Sequence, residues 1–499
     1  MKWFYVGIVS LGVFMVVLGT TSVNVAMPRM IAPLHTDLFG IEWVSISYLI
    51  STAITMLAFN TISGMHGFKK VYISGLIFYT LGSVLAGQSH SLFEMILFRS
   101  AQGIGEGLII PSGQAIIQMS FSKEERGRAM GIYALGMSFA PGLGPTIGGY
   151  LVEYISWRAI FYINVPISIL LLALGVSFLP SYHVKSQKTM FNIWSFLALS
   201  CFSISSIILL SKGEKWGWFS NIKSIYFLTI SVLSFLIFLL LETIFENKLV
   251  GIEIFKNLEF TLAVSVFVLV QGLTFFQTVY TIPIYFERIR DLSTFQTGLH
   301  IFPYAIGIGV FSLIGGKLAD KINPAILIFS SEAILMITLF FFLSNIDYYT
   351  PKHDITLYML LVGIGMGLFF APILKIAFNS VKPELMGLST AIYGYMRLIG
   401  ASLGTSIATN IITSYSAKNF DYINDSRTFN GVGFRLFEEK FDSKILAKAI
   451  LYKFQMLISE AYGVTEVFRF SFYAVSFSVI ITIILFFYIE SKKSKMMKI

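Results

Sequence analysis

The chain has 499 residues, of which 56% are hydrophobic and 13% charged, with a formal net charge of +9. A soluble domain carries about 25% charged residues, so an ordinary water-soluble fold is excluded. The basic balance does not point to nucleic acid either. No polar domain presents the lysines as one face, and they lie between apolar runs, where basic residues report membrane orientation.

Taken in chain order, the apolar runs are continuous rather than alternating. Val71–Gln88, Tyr226–Leu241 and Phe470–Ile489 carry no charged side chain. A helix needs ~20 residues to cross ~30 Å of hydrocarbon. Continuous apolarity selects helices over barrel strands. The start, Met1-Lys2 followed by Val6–Ala26, is long enough to span and reads as a first transmembrane helix, not a cleaved signal. Fourteen spans are expected, at 5–27, 43–62, 71–88, 94–117, 127–150, 159–180, 190–211, 223–244, 259–285, 296–316, 324–344, 355–378, 387–415 and 466–489. The seventh and eighth are alternatively re-entrant. Cys201, within the seventh, cannot form an internal disulfide and reads as a small core-filling residue. Segment 416–465 breaks the pattern of short loops. Within it, Lys444–Glu460 has apolar residues at 446, 449, 450, 454 and 457, which suits an amphipathic helix on the membrane or the protein, or else a solvated hairpin.

Loop charge supports this count. An even number of spans puts both termini on one side, with Lys69, Lys70, Lys123, Arg126, Arg128, Lys185, Lys188, Lys248, Lys256, Lys317, Lys321, Lys375, Lys382 and the lysine-rich tail. The opposite short loops are poorer in Lys and Arg. The termini are therefore expected in the cytoplasm and 416–465 outside.

Two stretches carry the strongest signatures. The fourth span contains Leu97-Phe98-Arg99-Ser100-Ala101-Gln102-Gly103-Ile104-Gly105-Glu106-Gly107. The fifth reads Gly136-Met137-Ser138-Phe139-Ala140-Pro141-Gly142-Leu143-Gly144-Pro145-Thr146-Ile147-Gly148-Gly149. They resemble the fourth-helix arginine motif and the fifth-helix antiporter motif of the major facilitator superfamily. Further stretches resemble its fourteen-helix drug:proton antiporters, namely Thr20–Pro28, Trp157–Pro166, Gly315-Gly316-Lys317-Leu318-Ala319-Asp320-Lys321 and Arg397–Gly404. The resemblance runs from about residue 18 to residue 489. It implies an all-α membrane protein with two six-helix bundles, 1–180 and 258–499, and two linker helices in 181–257. It also implies substrate binding near the midplane and alternating access. Gly316, Asp320 and Lys321 would form a cytoplasmic gating motif.

Physics assigns work to these residues independently. Pro141 and Pro145 each remove a backbone donor and favour a kink. Gly136, Gly144, Gly148 and Gly149 let a neighbouring helix approach closely, as a moving seal or as a purely structural face. Arg99 is costly near mid-span and should face the interior or water. Glu106 lies two turns on, ~10 Å along the axis at 1.5 Å per residue, with Gln102 between them on nearly the same stripe. Burial and a nearby cation act oppositely on a carboxyl group, so Glu106 suits a proton carrier, with Arg99 tuning it. A satisfied structural pair is the other reading. Glu332, in the eleventh span, is the other deep carboxylate, a second candidate for proton coupling or else a structural residue. Asn24, Gln102, His300, Tyr304 and Arg397 are cavity candidates.

Two departures from the family pattern stand out. Gly19 occupies a first-helix position where relatives commonly carry aspartate. The first-half cytoplasmic motif, Ser63-Gly64-Met65-His66-Gly67-Phe68-Lys69-Lys70, has no acid near Gly64. The expected function is proton-coupled efflux of lipophilic drugs or other small molecules, cationic or neutral, across the cell membrane by a monomer, with H+ as coupling ion and no cofactor or metal. An importer or exchanger of one solute, and a non-transporting scaffold or sensor, are the alternatives. No metal-ligand spacing, phosphate-cradling loop or nucleophile–base pair suggests an enzyme.

Overall fold

The computed structural model describes residues 1–37, 40–182, 191–425 and 444–496. Among these residues, fourteen long helices run α1 Lys2–Met30, α2 Trp43–His66, α3 Phe68–Gln88, α4 Leu92–Ser120, α5 Arg126–Tyr154, α6 Ala159–Phe178 and α7 Ile193–Lys212. They continue as α8 Ile222–Ile244, α9 Leu258–Ile289, α10 Thr294–Ala319, α11 Pro324–Asn345, α12 Lys352–Asn379, α13 Met386–Asp425 and α14 Lys444–Met496. Eleven are long and apolar enough to cross a membrane. The exceptions are α4, α5 and α13, whose polar, glycine and proline residues dilute their apolarity. All three contribute residues to the cavity between the two bundles.

The helix ends have local chemical causes. Ser91, Asn192, Asn221, Asn257 and Asn323 each accept a hydrogen bond from a first-turn backbone N–H of the helix they precede. Ser293 and Gln296 close a reciprocal capping box at α10. Gly67 joins α2 to α3 at φ +80° and Gly217 turns the α7–α8 hairpin at φ +70°, conformations that strain residues bearing a Cβ.

Helices α1–α6 pack among themselves, as do α9–α14, and α5 lies along α10 at the junction of the two bundles. The contact is intimate on the face that carries the termini. A Cβ at Gly131 would stand 2.6 Å from the Ser312 carbonyl oxygen, and one at Gly316 would stand 2.5 Å from that of Gly127. The linkers α7 and α8 form full-length helices, not re-entrant segments. Helix α7 bridges the bundles on one flank. Lys212 and Lys215, at its end, ion-pair with Glu42 before α2. Glu214 accepts from Asn410 of α13 at 3.0 Å, and Ser203 bonds the Tyr395 hydroxyl of α13 at 2.7 Å.

Two expectations are corrected. Cys201 is exposed rather than core-filling, because it lies on the outward side of α7. Residues 416–425 and 444–465 are not a loop with a separate surface helix, since they prolong α13 and α14. The extensions brace each other, with Phe420 against Tyr452 at 5.1 Å and Ser459 donating to Asn419 at 3.3 Å, while Phe454 packs on Tyr348. Of the apolar positions expected there, Phe454 packs on Tyr348 whereas Ile450 is exposed. Residues 426–443, and Lys185 and Lys188 among the loop lysines, lie outside the described residues.

Candidate transport cavity

A cavity of about 480 Å³ lies between the bundles, a volume suited to a drug-sized ligand. Its walls come from both halves. Asn24 and Pro28 of α1, Ser45 and Tyr48 of α2, Glu287 of α9 and Thr294 of α10 mark its mouth and upper wall. Arg99, Glu106 and Arg397 lie deeper, and Leu210 and Ser211 of α7 close one side. Residues at the ends of α1 and α9 and the starts of α2 and α10 line it. It therefore extends from the middle of the molecule to the face opposite the termini.

The deep charges are arranged differently from the sequence expectation. Glu106 accepts from Arg397 at 2.9 Å, an ion pair that joins α4 to α13 and so one bundle to the other. Both residues are buried. Arg99 makes no ion pair with Glu106. Its Nε donates to the Val44 carbonyl at 3.2 Å, its guanidinium donates to Gln102 Oε1 at 2.7 Å, and it sits 4.0 Å over the Tyr48 ring. Helical side chains tilt toward the helix N-terminus, so Arg99, N-terminal to Glu106 on the same helix, leans away from it. Gln102 passes the network to Ser83 at 2.7 Å.

Of the candidate residues, Asn24, Arg99, Glu106 and Arg397 line the cavity, as do Pro141 and Pro145. The others are placed elsewhere. Gln102 is fully buried behind Arg99. His300 stacks on Phe286 and bonds Thr356 at 2.7 Å, facing α12. Tyr304 is buried against Phe275. Glu332 is sealed between α11 and α14, accepting from Ser478 at 2.7 Å and Thr482 at 3.0 Å. The spans alone did not reveal which side of each helix faces its own bundle.

The glycines of α5 also divide. Gly136, Gly144 and Gly148 face Ser10, Thr21 and Ser22 of α1, within one bundle, whereas Gly149 faces Thr294 and Phe295 of α10, across the junction. They are thus not one smooth face. Gly19 faces Tyr79 of α3, whose hydroxyl would lie 2.3 Å from an added Cβ, so the tyrosine fills the space.

The face carrying the termini is held shut. Asp320 caps α5 across the junction, accepting from the Gly127 and Arg128 backbone N–H groups, both at 2.9 Å. Lys375 of α12 pairs with Asp320 at 2.6 Å, while Lys321 is exposed and takes no part. An anion at a helix N-terminus is favoured by the backbone dipoles. Arg126 adds a 2.8 Å bond to Asn379.

Sequence reasoning missed Tyr48 and Glu287, and it read Lys375 as a loop charge on the side of the termini without its pairing to Asp320. A signal for Glu287 existed: the α9 lining residues Phe276, Val279, Tyr280, Pro283, Ile284 and Glu287 recur at helical spacing, a stripe that ends in an acid.

A family model described as Major Facilitator Superfamily matches residues 9–405. The chain belongs to the Major Facilitator Superfamily. It is a multi-pass membrane transporter, not an enzyme. Among curated members, it is 28% identical to the riboflavin transporter RibZ of Clostridioides difficile over 84% of this chain and 90% of that protein. It is 29% identical to multidrug resistance protein 3 of Bacillus subtilis, over 81% and 79%. A solved major facilitator structure, the human organic anion transporter MFSD10 (TETRAN), superposes with a TM-score of 0.56 at 14% identity, covering 94% of this chain and 98% of that one. That likeness supports the fold alone.

Proposed function

We propose that this major facilitator transporter is a proton-coupled exporter of lipophilic small molecules in the cell membrane, with cytoplasmic termini. The observation that carries the reading is the buried Glu106–Arg397 pair, which joins the two bundles at the deep end of a drug-sized cavity. Deprotonated Glu106 holds Arg397 and with it α13. A proton entering through the cavity neutralises the carboxylate, removes the attraction between bundles and favours the alternate arrangement, in which the Asp320 latch opens. Proton release then restores the pair. Efflux would follow from substrate and proton using the same cavity in opposite directions. Several relatives named as multidrug resistance proteins add support.

Transport in proteoliposomes under an imposed proton gradient, with a panel of lipophilic compounds, tests this reading. Gradient-dependent, saturable export is expected, and Glu106→Gln should abolish it while leaving substrate binding within about twofold. Glu332→Gln is the control and should export normally. Normal gradient-driven export by Glu106→Gln would sink the assignment. The similarity to a protein named as a riboflavin transporter favours a second reading, a carrier for one specific solute. Riboflavin transport without export of any lipophile on the panel would establish it instead.

A further inference from the structure

Two carboxylates line the cavity, and they are not equivalent. Glu106 is neutralised by Arg397. Glu287, at the mouth, lies beside the Thr294 hydroxyl, and no basic side chain among the described residues pairs with it. The adjacent Arg288 is exposed instead, turned out of the cavity. Glu287 ends the α9 stripe that begins at Phe276 and includes Tyr280, whose hydroxyl accepts from Thr409 at 2.9 Å and is thereby held in place.

From this arrangement we infer that Glu287 is the cation-recognising residue of the cavity, and that its substrates include lipophilic cations. The inference rests on the transport reading above. A half-buried carboxylate without a counter-cation is a poor stabiliser of the protein but a good partner for a ligand cation, because the ligand supplies the missing charge. Aromatic faces add to the same preference, since a cation is attracted to the ring quadrupole. The ligand's charge would sit at Glu287, and its apolar body would lie along the stripe toward Phe276, over Pro283 and Tyr280. The proton site and the substrate-charge site are then separate, so occupancy of one does not physically block the other. Coupling between them would run through the Arg397 link, not through competition for a single carboxylate.

The test is binding to purified full-length protein in lipid nanodiscs of two probes of similar shape, tetraphenylphosphonium and the uncharged triphenylphosphine oxide. Glu287→Gln should weaken the phosphonium at least tenfold and leave the neutral probe within twofold, and Glu287→Asp should recover part of the loss. An unchanged neutral affinity shows that the cavity is intact in the variant. Equal phosphonium binding by the wild-type protein and Glu287→Gln overturns the inference, as does a wild-type protein that does not bind the phosphonium. Equal losses for both probes also overturn it, because they mark a structural role. A protein that binds the cation through Glu287 but shows no gradient-driven export would instead overturn the transport reading, so the two failures are distinguishable.

Discussion

At the scale of single residues, the decisive feature is the position of ion partners inside a low-dielectric bundle. Arg397 and Glu106 are both buried, so neither can fall back on water if the other is lost. Removing one member of such a pair leaves an uncompensated charge, which costs about 3–5 kcal/mol in proteins. Arg397→Ala should therefore lower the thermal stability of the detergent-purified protein markedly. The double variant Glu106→Leu/Arg397→Met should recover most of the loss, because apolar replacement removes the unpaired charge as well. Arg397→Ala with wild-type stability would mean that the pair does not contribute as its geometry implies. The partnership was not legible from spacing. Arg99 and Glu106 share a stripe two turns apart, yet side-chain tilt and the carbonyl of Val44 direct Arg99 elsewhere.

At the scale of helices, the packing of α5 separates structural glycines from those at the junction. Gly144 contacts Thr21 of α1 inside its own bundle, and a Cβ there would meet the Thr21 hydroxyl at 2.0 Å. Gly316 meets Gly127 and Gly131 of α5 across the junction. The two sites should respond differently to bulk. Gly144→Leu is expected to reduce stability and yield, whereas Gly316→Val should leave a folded protein that cannot close the terminal face and loses transport. Cysteine accessibility beside the latch should rise in Gly316→Val and stay low in the wild-type protein. Full transport by Gly316→Val would show that this helix contact need not form during the cycle. The fifth-helix motif was visible as a pattern of small residues, but a pattern of glycines does not state which neighbour each one faces.

At the scale of the whole molecule, the described residues form fourteen long helices, eleven of them apolar enough to cross a membrane, and the cavity opens on the face opposite the termini; crossing by all fourteen is the arrangement to test. Cysteines introduced at Lys70 and Asp291, in a Cys201→Ser background, should react with impermeant reagents from opposite sides of the membrane. Both positions are exposed, at the start of α3 and just after α9. Labelling of both from one side would refute the fourteen-crossing arrangement. The linker hairpin has a place in the same picture. Through Lys212 and Lys215 on one bundle and Glu214 and Ser203 on the other, it spans the α2–α13 seam and supplies a wall of the cavity.

The sequence by itself determined the number, order and approximate limits of the helices. Each span is a local property: about twenty apolar residues satisfy their own backbone and need no partner to define them. It also marked Arg99 of α4 as a charge that should face the interior or water, and the glycines of α5 as places where a neighbouring helix comes close. Only the tertiary structure decided what those residues touch. Arg397 meets Glu106 from 291 residues away, Asp320 meets the start of α5, His300 and Tyr304 are turned away from the cavity that they were expected to line, and Glu332 is sealed between α11 and α14. The helical spacing over Lys444–Glu460 was legible, but that this stretch would be continuous with α14 and pair with the extension of α13 was not. Helices in lipid are set by composition, while the face each helix presents is set by the rotation at which its neighbours pack, which no short window of sequence encodes.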